Sequence, residues 1–336
     1  MDFLNQASIL ITGGTGTLGK ALVRRFLEMQ PKLKRLVVFS RDEQKQFHMA
    51  QEFPDTKYPA IRYFIGDVRD LARLRQALNG IDHVIHAAAM KHIHIAEYNP
   101  MECIKTNIIG AQNIITACIE SSVKSVVALS TDKAAAPINL YGSTKLASDK
   151  LFVASNGFTG DKDLKFSVVR YGNVMASRGS VIPFFLDKRE EGILPITHPD
   201  MTRFNITIKQ AVDIVLFAME KAMGGEILVP KLPSYRILDL AKAIGPDCRT
   251  EIIGIRQGEK IHEEMITCAD ALNTYDLGKY FAILPQVTPF ALDEFLSQHQ
   301  AKLVPEGFSY QSNENDDWLS IEELRDLIER IQLEVG

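Results

Sequence analysis

The stretch SILITGGTGTLG, residues 8–19, decides the fold. A short apolar run, Ser8-Ile9-Leu10-Ile11, stops at Thr12-Gly13-Gly14-Thr15-Gly16-Thr17-Leu18-Gly19. Leu22, Val23, Phe26 and Leu27 then recur at helical spacing. Strand, glycine loop and helix, in that order, form the first unit of a dinucleotide-binding fold. The glycines permit a tight turn and a close approach of backbone to a pyrophosphate, and the helix N-terminus offers N–H donors to its oxygens. A purely structural turn also uses glycines, but the flanking strand and helix favour the nucleotide reading. Gly13, Thr15, Gly16, Thr17, Leu18 and Gly19 are therefore the first candidate cofactor contacts.

Outward from this loop, a second strand at 35–39 ends in Ser40-Arg41-Asp42-Glu43. An NAD enzyme usually places an acidic residue there, about 20 residues past the glycines, on the ribose 2′-hydroxyl. Ser40 and Arg41 suit a 2′-phosphate instead, with Lys45 adding to that pocket, so NADP is favoured. Asp42 and Glu43 keep NAD open. A third strand at 61–65 runs into Gly66-Asp67-Val68-Arg69-Asp70. Asp67, beside Val68, either accepts from an adenine amino group or caps the next helix. A fourth strand at 84–89 ends in small residues, and Ala87 and Ala88 let backbone lie against a flat cofactor. Lys91 follows, where a cation meets cofactor ribose or substrate. A helix over 100–121 holds Asn107 in its interior, which propensity disfavours unless the side chain bonds across to the loop after strand four. His83, His86, His92 and His94 cluster here, yet no Cys, Asp or Glu completes a ligand set, so no metal is expected.

The fifth strand, 125–129, delivers Leu129-Ser130-Thr131-Asp132-Lys133. A helix from about Leu140 then carries Tyr141 and Lys145 one turn apart on one face, as a coupled pair requires. A sixth strand, 166–170, ends in Tyr171-Gly172-Asn173-Val174. The expected class is α/β: a Rossmann-type doubly wound parallel sheet with a smaller, partly discontinuous C-terminal substrate lobe. Residues 1–176 form the cofactor domain, with a strand near 225–230 returning to it, and 177–336 mainly the second lobe. In that lobe, 255–260 reads as a charged turn before a helix. His262-Glu263-Glu264 is not a zincin motif. An amphipathic helix over about 320–333 closes the chain.

Composition bounds the partners. Of 336 residues 46% are hydrophobic and 24% charged, the ordinary mix of a globular protein. A net charge of −4 gives no global reason to expect nucleic acid or an anionic membrane. Cys103, Cys118, Cys248 and Cys268 form no C-x-x-C pair, which fits a reducing compartment. No signal peptide and no run of membrane-span length is seen, so a cytoplasmic location is expected.

The glycine loop, Tyr141-x-x-x-Lys145 and Arg170-Tyr171-Gly172-Asn173-Val174 together resemble the extended short-chain dehydrogenase/reductase family of nucleotide-sugar enzymes. Ser130-Thr131-Asp132-Lys133-Ala134-Ala135, Met201-Thr202-Arg203-Phe204 and Arg256-Gln257-Gly258-Glu259-Lys260 tighten the resemblance, nearly end to end, to inverting UDP-N-acetylglucosamine 4,6-dehydratases. Retaining relatives carry Thr-Asp-Glu where this chain has Thr131-Asp132-Lys133. Soluble relatives of the UDP-N-acetyl-L-fucosamine pathway commonly have methionine at the position of Tyr141. Tyr141 and Ala96-Glu97-Tyr98-Asn99-Pro100 look instead like the branch that begins pseudaminic acid biosynthesis, for flagellin or other surface glycans.

The resemblance implies roles. Tyr141, with Lys145, is the base for the C4 hydroxyl, its pKa brought toward neutrality by the Lys145 ammonium and the nicotinamide cation. Thr131 bonds the C4 oxygen, Lys133 removes the C5 proton and Asp132 protonates the departing C6 hydroxyl. Leu129, Ser130, Asn107 and Val174 join the cofactor contacts. Lys91, Asn173, Arg178, Val181, Thr202, Arg203, Arg256 and Glu259 are the substrate contacts. NADP is expected to stay bound and be regenerated, in a homo-oligomer, hexamer or smaller. A UDP-sugar 4-epimerase, a retaining dehydratase and a non-catalytic NADP-binding regulator are the competing readings.

Overall fold

The computed structural model describes residues 2–29, 32–175 and 181–335. The expected domain boundary at 176/177 and the candidate Arg178 lie outside the described residues. In the first half, strands alternate with helices: β1 (Ser8–Thr12), α1 (Thr17–Glu28), β2 (Arg35–Ser40), α2 (Glu43–Glu52), β3 (Ile61–Ile65), α3 (Leu71–Ala77) and β4 (His83–His86). Then come α4 (Ile93–Tyr98), α5 (Pro100–Ile104), α6 (Gly110–Ile119), β5 (Ser125–Thr131), α7 (Leu140–Ala154) and β6 (Lys165–Tyr171). The apolar runs of β1, β2 and β5 are nearly continuous because helices cover the sheet on both faces.

The second half supplies α8 (Val181–Arg189), β7 (Ile193–Ile196), β8 (Thr202–Phe204), α9 (Ile208–Lys221), β9 (Ile227–Pro230), β10 (Ser234–Arg236) and α10 (Ile237–Ile244). It continues with β11 (Arg249–Ile252), β12 (Glu264–Ile266), β13 (Thr274–Asp276), β14 (Tyr280–Ile283), α11 (Leu292–His299), β15 (Lys302–Leu303), β16 (Tyr310–Gln311) and α12 (Ile321–Val335). The main sheet runs β15-β13-β14-β9-β6-β5-β4-β1-β2-β3. From β3 to β9 the pairs are parallel, and β14, β13 and β15 extend that edge antiparallel. This is the doubly wound architecture expected. The order reverses between β1 and β4, and the crevice outside their C-terminal ends is where such sheets bind ligands.

The second lobe has its own small core, in which Ile182, Phe185, Leu194, Ile196, Tyr235, Leu240 and Leu324 are buried together. Three short pairs, β8 with β10, β7 with β11 and β12 with β16, frame it. The helix expected after 255–260 is a strand, β12. It forms because β16, some forty residues on, pairs with it, and no local period announces such a partner. The fourth strand stops at His86, since its last partner on β1 is Thr12. The long helix over 100–121 is continuous but π-helical at 105–109. No helix among the described residues is long and apolar enough to cross a membrane.

Candidate active site

At the end of β1, Gly13 has φ +65°, and a Cβ there would lie 2.9 Å from the backbone of Ala87 and Ala88. Only glycine lets the two loops touch. Thr12 ties them: its hydroxyl receives the N–H groups of Ala87 (3.1 Å) and Ala88 (3.3 Å) and meets His86 Nδ1 at 2.8 Å. With two donors already on it, the hydroxyl donates to the ring, so Nδ1 is unprotonated. Complete burial, with the Lys145 charge beside it, pushes His86 down to about 3. His83 bonds Ser125 at 2.8 Å. Both rings are held by the fold. Among the described residues no group of His, Cys, Asp and Glu is placed to hold a metal.

A dinucleotide fits the crevice. α1 has Gly16 as its N-cap, with no side chain capping it and no acidic residue in its first turn, so its N–H groups are open to a phosphate. At the end of β2, Ser40 is buried and receives Gln46 Nε2 on its hydroxyl at 3.2 Å. Arg41 stands half-exposed, 3.6 Å from Asp67, while Lys45 pairs with Asp42 at 3.0 Å. Asp42 also caps α2 through the Lys45 N–H. Asp67 holds Arg69 at 2.7 Å, and the charge of both arginines helps keep its carboxyl below the usual range despite partial burial. Val68 packs against Gly110 in α6.

Asn107 sits in the π-helical turn. Its Oδ1 accepts from Met90 N–H (2.8 Å) and its Nδ2 donates to Met90 C=O (2.9 Å) and Thr144 Oγ1 (3.0 Å). One side chain thus joins the loop after β4 to α7, and π turns often mark such places. α7 is started by Asn139, whose Oδ1 accepts the Gly142 N–H at 2.8 Å. A Cβ on Gly142 would lie 2.1 Å from the Lys133 carbonyl oxygen, so α7 sits directly on the turn after β5. That contact brings Tyr141 and Lys145 to the end of β5.

There Thr131 Oγ1 donates to Asp132 Oδ1 at 2.8 Å. Lys133 Nζ lies 3.1 and 3.2 Å from the two Asp132 oxygens and 3.3 Å from Asn173 Oδ1. Asp132 is 2% exposed, and the Lys133 side chain 21%. Lys91, on the loop after β4, is exposed but near enough that, after desolvation, the Lys133 charge helps lower its pKa. Tyr141 is raised in the chain without its cofactor, whereas the expected lowering includes the nicotinamide charge. Burial, with Asp132 next and Asp149 adding to it, pushes its phenol up, and only the Thr131 hydroxyl pulls the other way. Lys145 is itself buried and lowered by desolvation, with Asp149 opposing. Ser130 Oγ donates to Asp149 at 2.6 Å, and Leu129 is partly buried behind it.

From the second lobe, the 256–260 turn lies on this region. Asn139 Nδ2 donates to Gly258 C=O at 2.8 Å, and Lys260 Nζ to Ala135 C=O at 2.7 Å. Arg256 is exposed, and Glu259 has a buried Oε2 with no hydrogen-bond partner. Thr202 and Arg203 face inward. Thr202 Oγ1 meets His262 Nδ1 (2.8 Å) and Ser312 Oγ (2.7 Å). Arg203 donates to the carbonyls of Thr202 (2.7 Å) and Ile261 (2.9 Å) and lies 3.5 Å from Glu263. Val174 bridges to Ile206, and Val181 opens α8, partly buried against the small core. Glu263, Lys260 and Asn139 escaped the sequence reading. Asn139 carried a signal, an N-cap residue just before the helix; Lys260 carried only its place in the 256–260 motif, and Glu263 carried none.

The family described as "Polysaccharide biosynthesis protein" matches residues 9–285. A UDP-N-acetylglucosamine 4,6-dehydratase (inverting) of Campylobacter jejuni subsp. jejuni serotype O:2 is 53% identical over 330 residues, 96% of this chain and 98% of that protein. A UDP-glucose 4-epimerase of Rickettsia canadensis is 41% identical over 283 residues, 82% of each chain. The X-ray structure of Pen from Bacillus thuringiensis superposes with a TM-score of 0.88 at 39% identity, covering 98% of this chain and 99% of that one.

Proposed function

The chain belongs to the polysaccharide biosynthesis protein family of extended short-chain dehydrogenases/reductases, and from that premise we propose that it is an inverting UDP-N-acetylglucosamine 4,6-dehydratase. The product is UDP-2-acetamido-2,6-dideoxy-β-L-arabino-hexos-4-ulose, and the enzyme a carbon–oxygen lyase. The observation that carries the reading is the Asp132–Lys133 pair at the end of β5, 3.1 Å apart beside Thr131. Elimination with inversion needs an acid for the leaving hydroxyl and a base for C5, and an epimerase needs neither.

The Gly13–Gly19 loop, Ser40, Arg41, Lys45, Asp67 and Ala87 would hold NADP, with Arg41 and Lys45 on the 2′-phosphate. When bound, NADP would supply a reversible hydride acceptor for C4 and donor for C6, and a positive charge that would offset the burial keeping the Tyr141 phenol protonated. Tyr141 takes the C4 hydroxyl proton, Lys145 holds positive charge near it and Thr131 bonds the C4 oxygen. The C4 ketone acidifies C5–H. Lys133 takes that proton as an amine, and the electron pair forms C5=C6 while the C6–O bond breaks. Asp132 supplies the proton with which the hydroxyl leaves as water. Protonation of C5 on the opposite face inverts it. The unpartnered Glu259 Oε2 suits a ribose hydroxyl of UDP, and the exposed Arg256 its phosphates.

The same reading places the enzyme in the cytoplasm, at the first step toward pseudaminic acid for flagellin or surface glycans. Exposed Ile95, Tyr98, Met101 and Ile109 favour self-association, hexamer or smaller. Turnover of UDP-N-acetylglucosamine in deuterated water is the test. Deuterium at C5 of an L-arabino 4-keto product is expected. Deuterium at C5 with D-configuration means a retaining enzyme. Inversion at C4 without C5 deuterium means an epimerase, the reading that the Rickettsia relative favours.

A further inference from the structure

Glu263 has no part in the roles above, yet it is buried beside the proposed C5 base. It is 3% exposed. Its Oε1 accepts from Asn173 Nδ2 at 3.2 Å and lies 3.5 Å from Arg203 Nε. Its Oε2 accepts the Phe204 N–H at 2.9 Å. Its backbone is clamped by Ser312, whose Oγ receives the Glu263 N–H (2.9 Å) and whose N–H donates to the Glu263 C=O (2.8 Å). Ser312 Oγ is in turn braced by Thr202. The site is built, and the three groups that bond or pair with the carboxylate, the Asn173 amide, the Phe204 N–H and Arg203, are all donors.

We propose that Glu263 is a positioning residue for Lys133: by accepting only, it turns the Asn173 amide so that its carbonyl, together with Asp132, directs the lysine nitrogen. The assignment rests on the reading of Lys133 as the C5 base. An Asn amide has a donor end and an acceptor end. Opposite a carboxylate the NH₂ end is held, which leaves Oδ1 toward Lys133 Nζ, 3.3 Å away. The flipped amide would set two donors against each other. A lysine amine has two N–H bonds and one lone pair on a tetrahedral nitrogen. With acceptors on two sides, Asp132 and Asn173, the N–H bonds point there and the lone pair takes the third direction. Charge neighbours act in the same cleft. Burial, then the Asp132 charge, push Glu263 up to about 7, with Arg203 and Lys133 opposing, so the accept-only carboxylate is the form present above that pH. Lys133 also contributes to lowering Lys91 and Lys260.

The test uses Glu263→Gln, Asn173→Ala and the double variant, with substrate deuterated at C5 or at C4. The glutamine amide must point its own NH₂ at a donor, so it cannot hold both Asn173 and the Phe204 N–H. In Glu263→Gln, kcat is expected to fall about 10- to 100-fold, less than loss of a general base itself, with KM moving little. The isotope effect from C5 deuterium should grow and that from C4 deuterium shrink. Asn173→Ala should reproduce this pattern, and the double variant should be no slower than the slower single one. Wild-type kcat in Glu263→Gln overturns the proposal. So does a fall in kcat with both isotope effects unchanged, which marks a merely structural role. If Glu263→Gln does not fold, Asn173→Ala decides alone: normal C5 chemistry there refutes the assignment. Absence of C5-inverted product from the wild type would refute the dehydratase reading itself, and the assignment with it.

Discussion

Lys133 and Asp132 are neighbours in sequence, but their shared geometry comes from the tight turn that ends β5. Lys133→Ala should lower kcat by about 10²–10⁴ and abolish C5 deuterium in any product formed, measured by NMR in deuterated water. Undiminished activity would remove Lys133 from the chemistry. In the proposed NADP reading, Arg41 is the residue on which cofactor choice turns. It is half-exposed and its neighbour is Asp67, 3.6 Å away. Arg41→Ala should weaken binding of NADP to the cofactor-free protein about 10- to 100-fold, the worth of a charged hydrogen bond, and leave NAD binding nearly unchanged. Equal losses with both cofactors would deny the 2′-phosphate contact.

At the scale of elements, the π-helical turn between α5 and α6 and the start of α7 locate the site. Asn107→Ala leaves the Met90 N–H and C=O without their partner, at a cost of about 1–3 kcal/mol. Urea unfolding should show the loss, and KM should rise, because the loop carrying Lys91 is freed. Gly142→Ala should be worse for activity than any surface change on α7, since its Cβ would lie 2.1 Å from the Lys133 carbonyl. The expected result is a large fall in kcat. The strand–loop–helix of β1 and α1 was legible, since alternation, glycines and helical spacing are all local. So was Asn107, whose interior helical position required an outside partner. β12 was not, because its pairing with β16 is long-range.

Across the whole molecule, a buried ion pair and a buried histidine tie the site to stability. Arg170 in β6 pairs with Asp149 of α7 at 3.3 Å, and each is almost fully buried. Asp149→Ala leaves the buried arginine only the Met265 carbonyl (3.0 Å) and the more distant Asp270 (3.9 Å), and should cost up to about 3–5 kcal/mol in urea unfolding. His86 titrates at about 3 in the folded chain and near 6.5 when unfolded. Below about 6.5 the unfolded chain takes up the proton first. The His86 contribution is therefore full above that pH and declines as pH falls toward 3, by at most about 1.4 kcal/mol per pH unit. Urea midpoints from about pH 7 down to about pH 5 should show this slope, and His86→Gln should lessen it. Equal slopes would place the acid sensitivity elsewhere.

The sequence by itself determined the doubly wound sheet, the glycine crevice and the Tyr141 and Lys145 face of α7, because each follows from spacing within one or two turns or strands. Only the tertiary structure decided what surrounds Lys133. Asn173 meets Glu263 across 90 residues, Asn139 meets Gly258 across 119 and Lys260 meets Ala135 across 125. It also set the starting point of Tyr141, raised in the chain without cofactor, from which the nicotinamide charge would have to lower it. Burial dominates a phenol in a closed core, and burial belongs to the packed chain rather than to any short stretch of it.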